Sequence, residues 1–346
     1  MTPGTVGRFA VFLAGVLAFG AAICSPASAA PSDRLIVIHG NSIVSVPVKK
    51  GPRQVLRKFP EGTWVSSVST ALGTSDVAYS LRVRRQMGGY TLLKDQVWTM
   101  SSNGKHAEKH FEQVRKKNRL GLISSIPELW GPRYGIMRVE LSPGGRRILV
   151  TKDYPFVAFE VWRGREGVKL ANPRTKKGIW GISNPTYDHT GRRILGYLNE
   201  GDTLGGIGYV IRKTGKPVIL GERGYDFLSS TTSASPDGRF IAVLAGLGRD
   251  KDPSDGYMPG PFAIRLIDWQ GRTIRTIKGP KPVVGPLDTP RISPDGRSVA
   301  FMAGSSTIGT WTDRTWVVSI RGGRPRLVHT GKSSFRVQFP AWVWSN

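Results

Sequence analysis

The stretch "SPDGRFIAVLAG" at 235–246 returns almost unchanged as "SPDGRSVAFMAG" at 293–304. Two looser copies are "SPGGRRILV" at 142–150 and "HTGRRILGYL" at 189–198. The glycines that end these turns are separated by 46, 47 and 58 positions: Gly145, Gly191, Gly238 and Gly296. A period in the forties is typical of propeller blades or repeat arrays and not of an α/β domain.

The repeated turn has a chemical reason for each of its positions. Proline at the second position fixes φ for a type I turn, and aspartate at the third can bond its own backbone. Glycine at the fourth takes the left-handed conformation that closes a hairpin with a bulge. The next residue opens a strand, and we expect it to point to solvent: Arg146, Arg192, Arg239 and Arg297. The apolar run that follows predicts a strand buried on both faces.

A second signal, a strand followed by a glycine turn with basic neighbours and a short strand, occurs six times. Its glycines are Gly51, Gly104, Gly167, Gly215, Gly271 and Gly323. Six copies indicate six units. The first unit lacks an inner strand, whereas "FRVQFPAWVWS" at 335–345 is an inner strand without a unit. We therefore predict an all-β, six-bladed propeller of four-stranded antiparallel blades, closed by Val337–Trp344 pairing with Arg34–His39.

Three stretches resemble the TolB-like propeller repeat, whose blades carry the pattern "PxWSPDGxxIAF". They are "SASPDGRFIAV" (233–243), "RISPDGRSVAF" (291–301) and "PAWVWSN" (340–346). The resemblance covers the chain after residue 29, strongly in two blades, and it implies protein binding at the cell envelope. TolB has an α/β domain before its propeller. There is no room for one between Ala30 and the first strand at Arg34, so we expect a free-standing propeller.

The first 29 residues have the pattern of an export signal. Arg8 provides the positive charge, 9–23 form an apolar segment, and "ASA" at 27–29 is a small-residue cleavage site. The alternative is a retained signal anchor. Cleavage before Ala30 predicts a single domain at 30–346 without a transmembrane segment, in the periplasm, secreted or on the cell surface. It also removes Cys24, the one cysteine, so no disulfide, thiolate nucleophile or cysteine zinc site remains.

The net charge of +26 predicts attraction to polyanions. Numbering the strands of a blade A to D from the axis outward, the A–B and C–D turns share one face, the turn face. Most of the glycine-turn arginines and lysines fall there, so we expect a basic binding surface that includes Arg146, Arg192, Arg239 and Arg297. We expect a monomer that binds a protein or an anionic envelope polymer, without specific nucleic-acid recognition. The alternative is that the basic residues only form a solvated surface.

The opposite face, the loop face, carries the B–C loops and the crossovers between blades. Its predicted loops are 84–90, 152–156, 199–206, 246–261 and 304–314. Aromatic residues in these loops are candidate binding residues, namely Tyr154, Tyr257 and Trp311. Irregular loops on a rigid scaffold are common binding sites, although ordinary loop variation is the alternative.

The sequence assigns no catalytic residue, cofactor or metal. His106 and His110 lack a third ligand, and an exposed outer strand explains them as well. The spacing of Asp250, Asp252 and Asp255 departs from a calcium loop. No nucleophile elbow, phosphate-binding loop or dinucleotide fingerprint is present.

Two functions remain open. The first is a non-catalytic exported binding module. The second is a lactonase-like or glycan-hydrolase-like propeller enzyme at the loop-face end of the channel. Its acids would be Asp153, Glu200, Asp202 and Asp250.

Overall fold

The computed structural model describes residues 34–87, 90–118, 136–152, 158–162, 165–168, 179–200, 203–220, 232–246, 262–280, 287–307, 310–333 and 340–343. These segments are almost entirely β-strand, with one short 3-10 turn at Pro143–Gly145. None of the described segments contains a helix of the length and hydropathy needed to cross a bilayer.

The strands form six four-stranded antiparallel sheets, the blades of a propeller. Blade 1 begins with β1 (Arg34–His39), β2 (Ser42–Pro47) and β3 (Gln54–Lys58). Blade 2 contains β4 (Thr63–Thr70), β5 (Asp76–Met87), β6 (Tyr90–Ser101) and β7 (Glu108–Asn118). Blade 3 contains β8 (Ile136–Leu141), β9 (Arg147–Lys152), β10 (Ala158–Trp162) and β11 (Arg165–Val168).

The remaining blades repeat this order. Blade 4 contains β12 (Ile179–Tyr187), β13 (Arg193–Glu200), β14 (Thr203–Ile211) and β15 (Lys216–Ile219). Blade 5 contains β16 (Thr232–Ala234), β17 (Ile241–Gly246), β18 (Phe262–Ile267) and β19 (Thr273–Lys278). Blade 6 contains β20 (Leu287–Ile292), β21 (Ser298–Thr307), β22 (Thr310–Ser319) and β23 (Arg326–Ser333). The last strand, β24 (Ala341–Trp342), belongs to blade 1.

The ring closes through the predicted pair of strands; of the predicted 337–344, Ala341–Trp342 form β24, and 337–339 and 344 lie outside the described residues. β24 pairs antiparallel with β1, placing Leu35 opposite Trp342 and Ile36 opposite Ala341. The Val343 amide adds a bond of 3.2 Å to the Arg34 carbonyl. Blade 1 is thus built from both ends of the propeller, and the inner edge of β1 is covered.

The glycine turns between the A and B strands have the predicted conformation. In blade 5 the Gly238 amide donates to the Ser235 carbonyl at 2.9 Å, and Gly238 has φ +71°. Asp237 Oδ1 accepts from Ser235 Oγ at 2.7 Å and from the Arg239 amide at 3.0 Å. Gly296 in blade 6 has φ +68° and the same amide bond to its turn serine. Glycine is required because side chains with a Cβ rarely adopt this backbone.

The core lies between the blades, and the B strand of each blade packs against both neighbouring blades. In β17, Ala242 and Leu244 face blade 6, in a buried cluster that contains Phe301. The alternate residues Ile241 and Val243 face blade 4. Because successive strand residues point to opposite sides, a continuous apolar run is what a strand packed between two sheets needs.

Two predictions about turns and loops are wrong. Gly167, predicted to end a turn, lies inside β11, because Trp162 pairs with Arg165 and leaves only 163–164 as the connection. Most of the predicted loops 84–90, 199–206 and 304–314 lies in strands. The reason is that β5 pairs with β6, β13 with β14 and β21 with β22 almost as far as the residues that connect them.

Candidate binding site

Neighbouring A–B turns contact one another around the propeller axis. The Gly144 amide of blade 3 donates to the Leu72 carbonyl of blade 2 at 2.8 Å. Arg147 Nη2 of blade 3 donates to the Gly191 carbonyl of blade 4 at 3.4 Å. The His189 ring of blade 4 lies against Gly238 of blade 5. The turns of blades 2 to 5 therefore form a continuous rim around the axis.

The arginines that follow the turn glycines of blades 3 to 6 are exposed at the turn face, as the sequence predicts. They are Arg146, Arg192, Arg239 and Arg297. The Arg239 side chain is 81% exposed even though its Nε lies 2.7 Å from Asp237 Oδ2. An ion pair this exposed contributes little stability, so the guanidinium group is available to a ligand at small cost.

The carboxylates on the same turns are directed at the backbone. Asp188 is 2% exposed, and its Oδ1 accepts amide bonds from Thr190, Arg192 and Arg193 at 3.0–3.3 Å. Burial opposes ionisation of Asp237, but hydrogen bonds from Ser235 and Arg239 outweigh it and hold the pKa of this carboxyl below its usual range. The acids shape the turns while the arginines extend into solvent, so the turn face presents positive charge.

A cavity lies on the propeller axis and opens at the turn face. Its empty space is about 620 Å³, part of it open to solvent. Each of the six inner strands lines it, through residues that include Thr70, Glu140, Thr186, Ser233, Arg291 and Ala341. Turn residues form its mouth, among them Leu72, Pro143, His189 and Pro236. The cavity and the exposed arginines therefore share one face.

The lining residues occupy a fixed place in the repeat. Four of them stand five positions before a turn glycine: Glu140, Thr186, Ser233 and Arg291. These positions end the inner strand just before the turn, where one side of the strand faces the axis. They are the functional candidates that the sequence analysis missed, and their distance from the turn glycine is the signal that identifies them.

The cavity wall contains a buried charge cluster. Arg138 Nε donates to Glu140 Oε1 at 2.7 Å, and Arg291 Nη2 donates to the same oxygen. Ser69 Oγ donates to Glu140 Oε2 at 2.8 Å. The residues Arg138 and Glu140 are 1% and 4% exposed, and the Arg291 side chain is 11% exposed. Residues from three blades thus meet at one carboxylate.

Glu140 is ionised in this cluster. Burial disfavours the charged form, but the guanidinium groups of Arg291 and Arg138 outweigh it and lower the pKa of the Glu140 carboxyl. A carboxylate held in this way is a poor proton donor. Arg291 thus brings a guanidinium group to the wall of the cavity, where it is paired with the Glu140 carboxylate.

The closing strand completes the cavity. Trp342 Nε1 donates to the Arg291 carbonyl of blade 6 at 2.9 Å, and Thr70 Oγ1 of blade 2 donates to the Trp342 carbonyl. Trp342 therefore contributes both to ring closure and to the geometry of the cavity.

A histidine pair lies at the interface of blades 1 and 6. The rings of His39 and His329 meet edge to face with centroids 5.3 Å apart. His39 Nδ1 and His329 Nε2 are buried and have no hydrogen-bond partner among the described residues. Burial, and then the charges of His39 and Arg53, lower the pKa of His329 to about 4. The pair is therefore neutral at pH 7.

The structure leaves most of the other sequence candidates untested. Tyr154, Tyr257, Asp153, Asp202 and the acids at 250–255 lie outside the described residues. Trp311 is in β22, paired with Ser306 and Ser333. Glu200 ends β13, opposite Thr203.

The two histidines of "HAEKH" have different environments. His106 is exposed in the turn between β6 and β7. His110 lies in β7, where its Nε2 is 2.7 Å from Thr99 Oγ1. Within the described segments, no three histidine, cysteine or acidic side chains are grouped to hold a metal ion.

No family model and no curated protein matches the chain. Among solved structures, TolB from Acinetobacter baumannii has a TM-score of 0.58 at 14% identity and matches 90% of this chain. The fold is that of the TolB propellers. A putative TolB from Agrobacterium tumefaciens has a TM-score of 0.51 at 13% identity, over 92% of this chain and 99% of that one. The chain covers 66% of the length of Acinetobacter TolB, and identities this low establish the shared TolB fold alone.

Proposed function

We propose that the chain is an exported, non-catalytic binding module whose turn face takes an anionic ligand, either an acidic protein surface or an envelope polymer. The observation that supports this most is the axial cavity: exposed arginines lie around its mouth, and Arg291 lines its wall beside the buried Glu140 carboxylate.

The arrangement suits recognition because the charges differ in accessibility. The rim arginines act over a distance of about 10 Å at 0.1 M salt and steer an anion to the mouth. Arg291 lies inside the cavity, where less solvent screens it and an acidic group of the ligand can approach its guanidinium. Because the turns of adjacent blades contact one another, the rim is preorganised, and little ordering cost falls on binding.

The proposed cellular location rests on the N-terminal sequence. Residues 1–29 have the pattern of a cleaved signal, and 30–346 would act as a single domain in the periplasm or at the cell surface. We propose a monomer because the turn face and the cavity are complete within one chain.

The test compares two variants of equal charge change. The turn-face variant replaces Arg146, Arg192, Arg239 and Arg297 with glutamate. The outer-strand variant replaces four exposed basic residues of the outermost strands β3, β19 and β23 with glutamate. They are Lys58, Arg275, Lys278 and Arg326. Each variant is applied to immobilised heparin and to immobilised poly-glutamate, and its elution salt is measured.

The turn-face variant should lose retention on at least one of the two supports, and the outer-strand variant should stay close to wild type. Loss on poly-glutamate favours a protein ligand, and loss on heparin alone favours a polymer. Equal elution of both variants on both supports would show that only net charge acts, and the proposed site would be wrong.

A further inference from the structure

On the loop face of blade 2, a hairpin extends beyond the end of the inner strand β4. The inner strand β4 begins at Thr63, opposite Val83. Past this pair, β5 and β6 continue to the Met87–Tyr90 pair, and β7 follows them to Asn118. Four further residues at about 3.4 Å each extend this three-stranded ribbon by roughly 14 Å.

The ribbon combines basic and apolar residues in register. Arg84 stands opposite Leu93, which stands opposite Arg115. The next row contains Arg85, Leu92 and Lys116. Paired residues share a side of the sheet and successive rows alternate, so Arg84 and Leu93 face one side and Arg85 and Leu92 the other. No acidic residue occurs in 84–94 or 113–118.

Where the side chains are described, they are accessible. Arg84 and Arg85 are exposed, and Leu92 and Leu93 are partly exposed. Val114 of β7 is 49% exposed. Apolar groups are thus left in water next to cations, which costs free energy in the isolated protein and is recovered when an apolar phase covers them.

Blade 6 carries a second hairpin on the same face. Its inner strand pairs from Leu287 opposite Ala303, whereas β21 and β22 continue to the Thr307–Thr310 pair. Trp311 lies in this extension, opposite Ser306. Blade 4 differs, because its hairpin ends level with its inner strand at the Ile179–Glu200 pair. The two projections therefore stand on either side of blade 1.

We propose that the loop face docks on an anionic lipid bilayer through the blade 2 hairpin, with the blade 6 hairpin as a second contact. Basic residues would meet the lipid phosphates while Leu92 and Leu93 enter the interface, where basic and apolar side chains are favourable together. A dissolved polyanion could pair with the arginines, but it has no apolar interior to cover the leucines. Docking in this orientation leaves the turn face pointing away from the bilayer.

The experiment measures co-sedimentation with vesicles of phosphatidylglycerol and phosphatidylcholine, and with vesicles of phosphatidylcholine alone. The hairpin variant is Arg84→Glu with Arg85→Glu. Its matched control, Arg275→Glu with Arg326→Glu, makes the same charge change on exposed outer-strand positions. Wild type should bind the anionic vesicles, and the hairpin variant should lose about tenfold or more in affinity, while the control stays within about threefold.

A third variant, Leu92→Ala with Leu93→Ala, tests the apolar part. It should weaken vesicle binding with no change in elution from heparin, since heparin has no apolar interior. Melting temperatures of all variants establish that each is folded.

Three results would overturn the proposal. They are equal loss in the hairpin variant and its control, equal binding of wild type to both kinds of vesicle, and loss of heparin retention in the hairpin variant with vesicle binding unchanged. None of them bears on the turn-face variant, so the two proposals can fail separately.

Discussion

Replacing Gly238 with alanine introduces two costs that the structure allows to be separated. The first is backbone strain, because alanine at φ +71° costs about 1 kcal/mol. The second is steric, because the new Cβ would lie 2.2 Å from His189 Cε1 and 2.7 Å from both ring nitrogens. Displacing a packed ring typically adds about 1–3 kcal/mol, so the free energy of unfolding should fall by roughly 2–4 kcal/mol.

Gly296 supplies the matched comparison. Its φ of +68° is nearly the same, but the nearest atom to a new Cβ is Pro236 Cδ at 3.9 Å. Gly296→Ala should therefore show the strain alone, about 1 kcal/mol. In a His189→Ala background, Gly238→Ala should fall to the same value, because the ring that it meets has been removed.

Urea denaturation with linear extrapolation measures wild type, the three single variants and the double variant. The reasoning fails if Gly238→Ala costs no more than Gly296→Ala in the wild-type background, since His189 would then not pack on the turn. It also fails if neither alanine destabilises the protein, since the turns would then not be left-handed at glycine.

The other predictions concern burial and closure. His329 is buried in its neutral form, whereas in the unfolded chain its imidazole has a pKa near 6.5 and binds a proton below that pH. Lowering the pH therefore favours the unfolded state, and the free energy of unfolding should fall by roughly 3 kcal/mol between pH 6.5 and 4. His329→Gln should flatten that part of a melting-temperature profile, whereas a matching change at exposed His106 should not. Glu140→Gln removes the buried carboxylate that Arg138 and Arg291 share and should cost about 3–5 kcal/mol in urea, against less than about 1 kcal/mol for Glu112→Gln at the surface. Truncation before Phe335 should expose the inner edge of β1 and cause aggregation; a soluble product with an unchanged melting point would contradict the closure.

The sequence predicts those parts of the fold that are determined locally. Each SPDG turn contains its own proline, aspartate and left-handed glycine, so Gly238 and Gly296 could be assigned without knowledge of their neighbours. Where two glycines compete, as in "RGREG" at 163–167, only strand pairing decides, and the assignment of Gly167 to the turn was wrong.

The axial site could not be predicted from the sequence because its residues come together only when the ring is closed. Arg138 and Glu140 alternate with apolar residues in β8, which reads locally as a strand with one side in water. Closure turns that side towards the axis, and the carboxylate then meets Arg291, which is distant in sequence. The projecting hairpins were predicted as loops because strand length depends on a pairing partner rather than on residue type.

The pairing of Ile36 with Ala341 also sets the timing of folding. The two residues are separated by about three hundred positions, and contacts this remote in sequence form slowly because a long loop must close first. Until Ala341 and Trp342 have been synthesised, the inner edge of β1 remains unpaired and open to association with other chains. The nascent protein therefore cannot close its ring before Trp342 has been synthesised. The arrival of the closing strand is the step at which the exposed edge of β1, and with it this risk of aggregation, is removed.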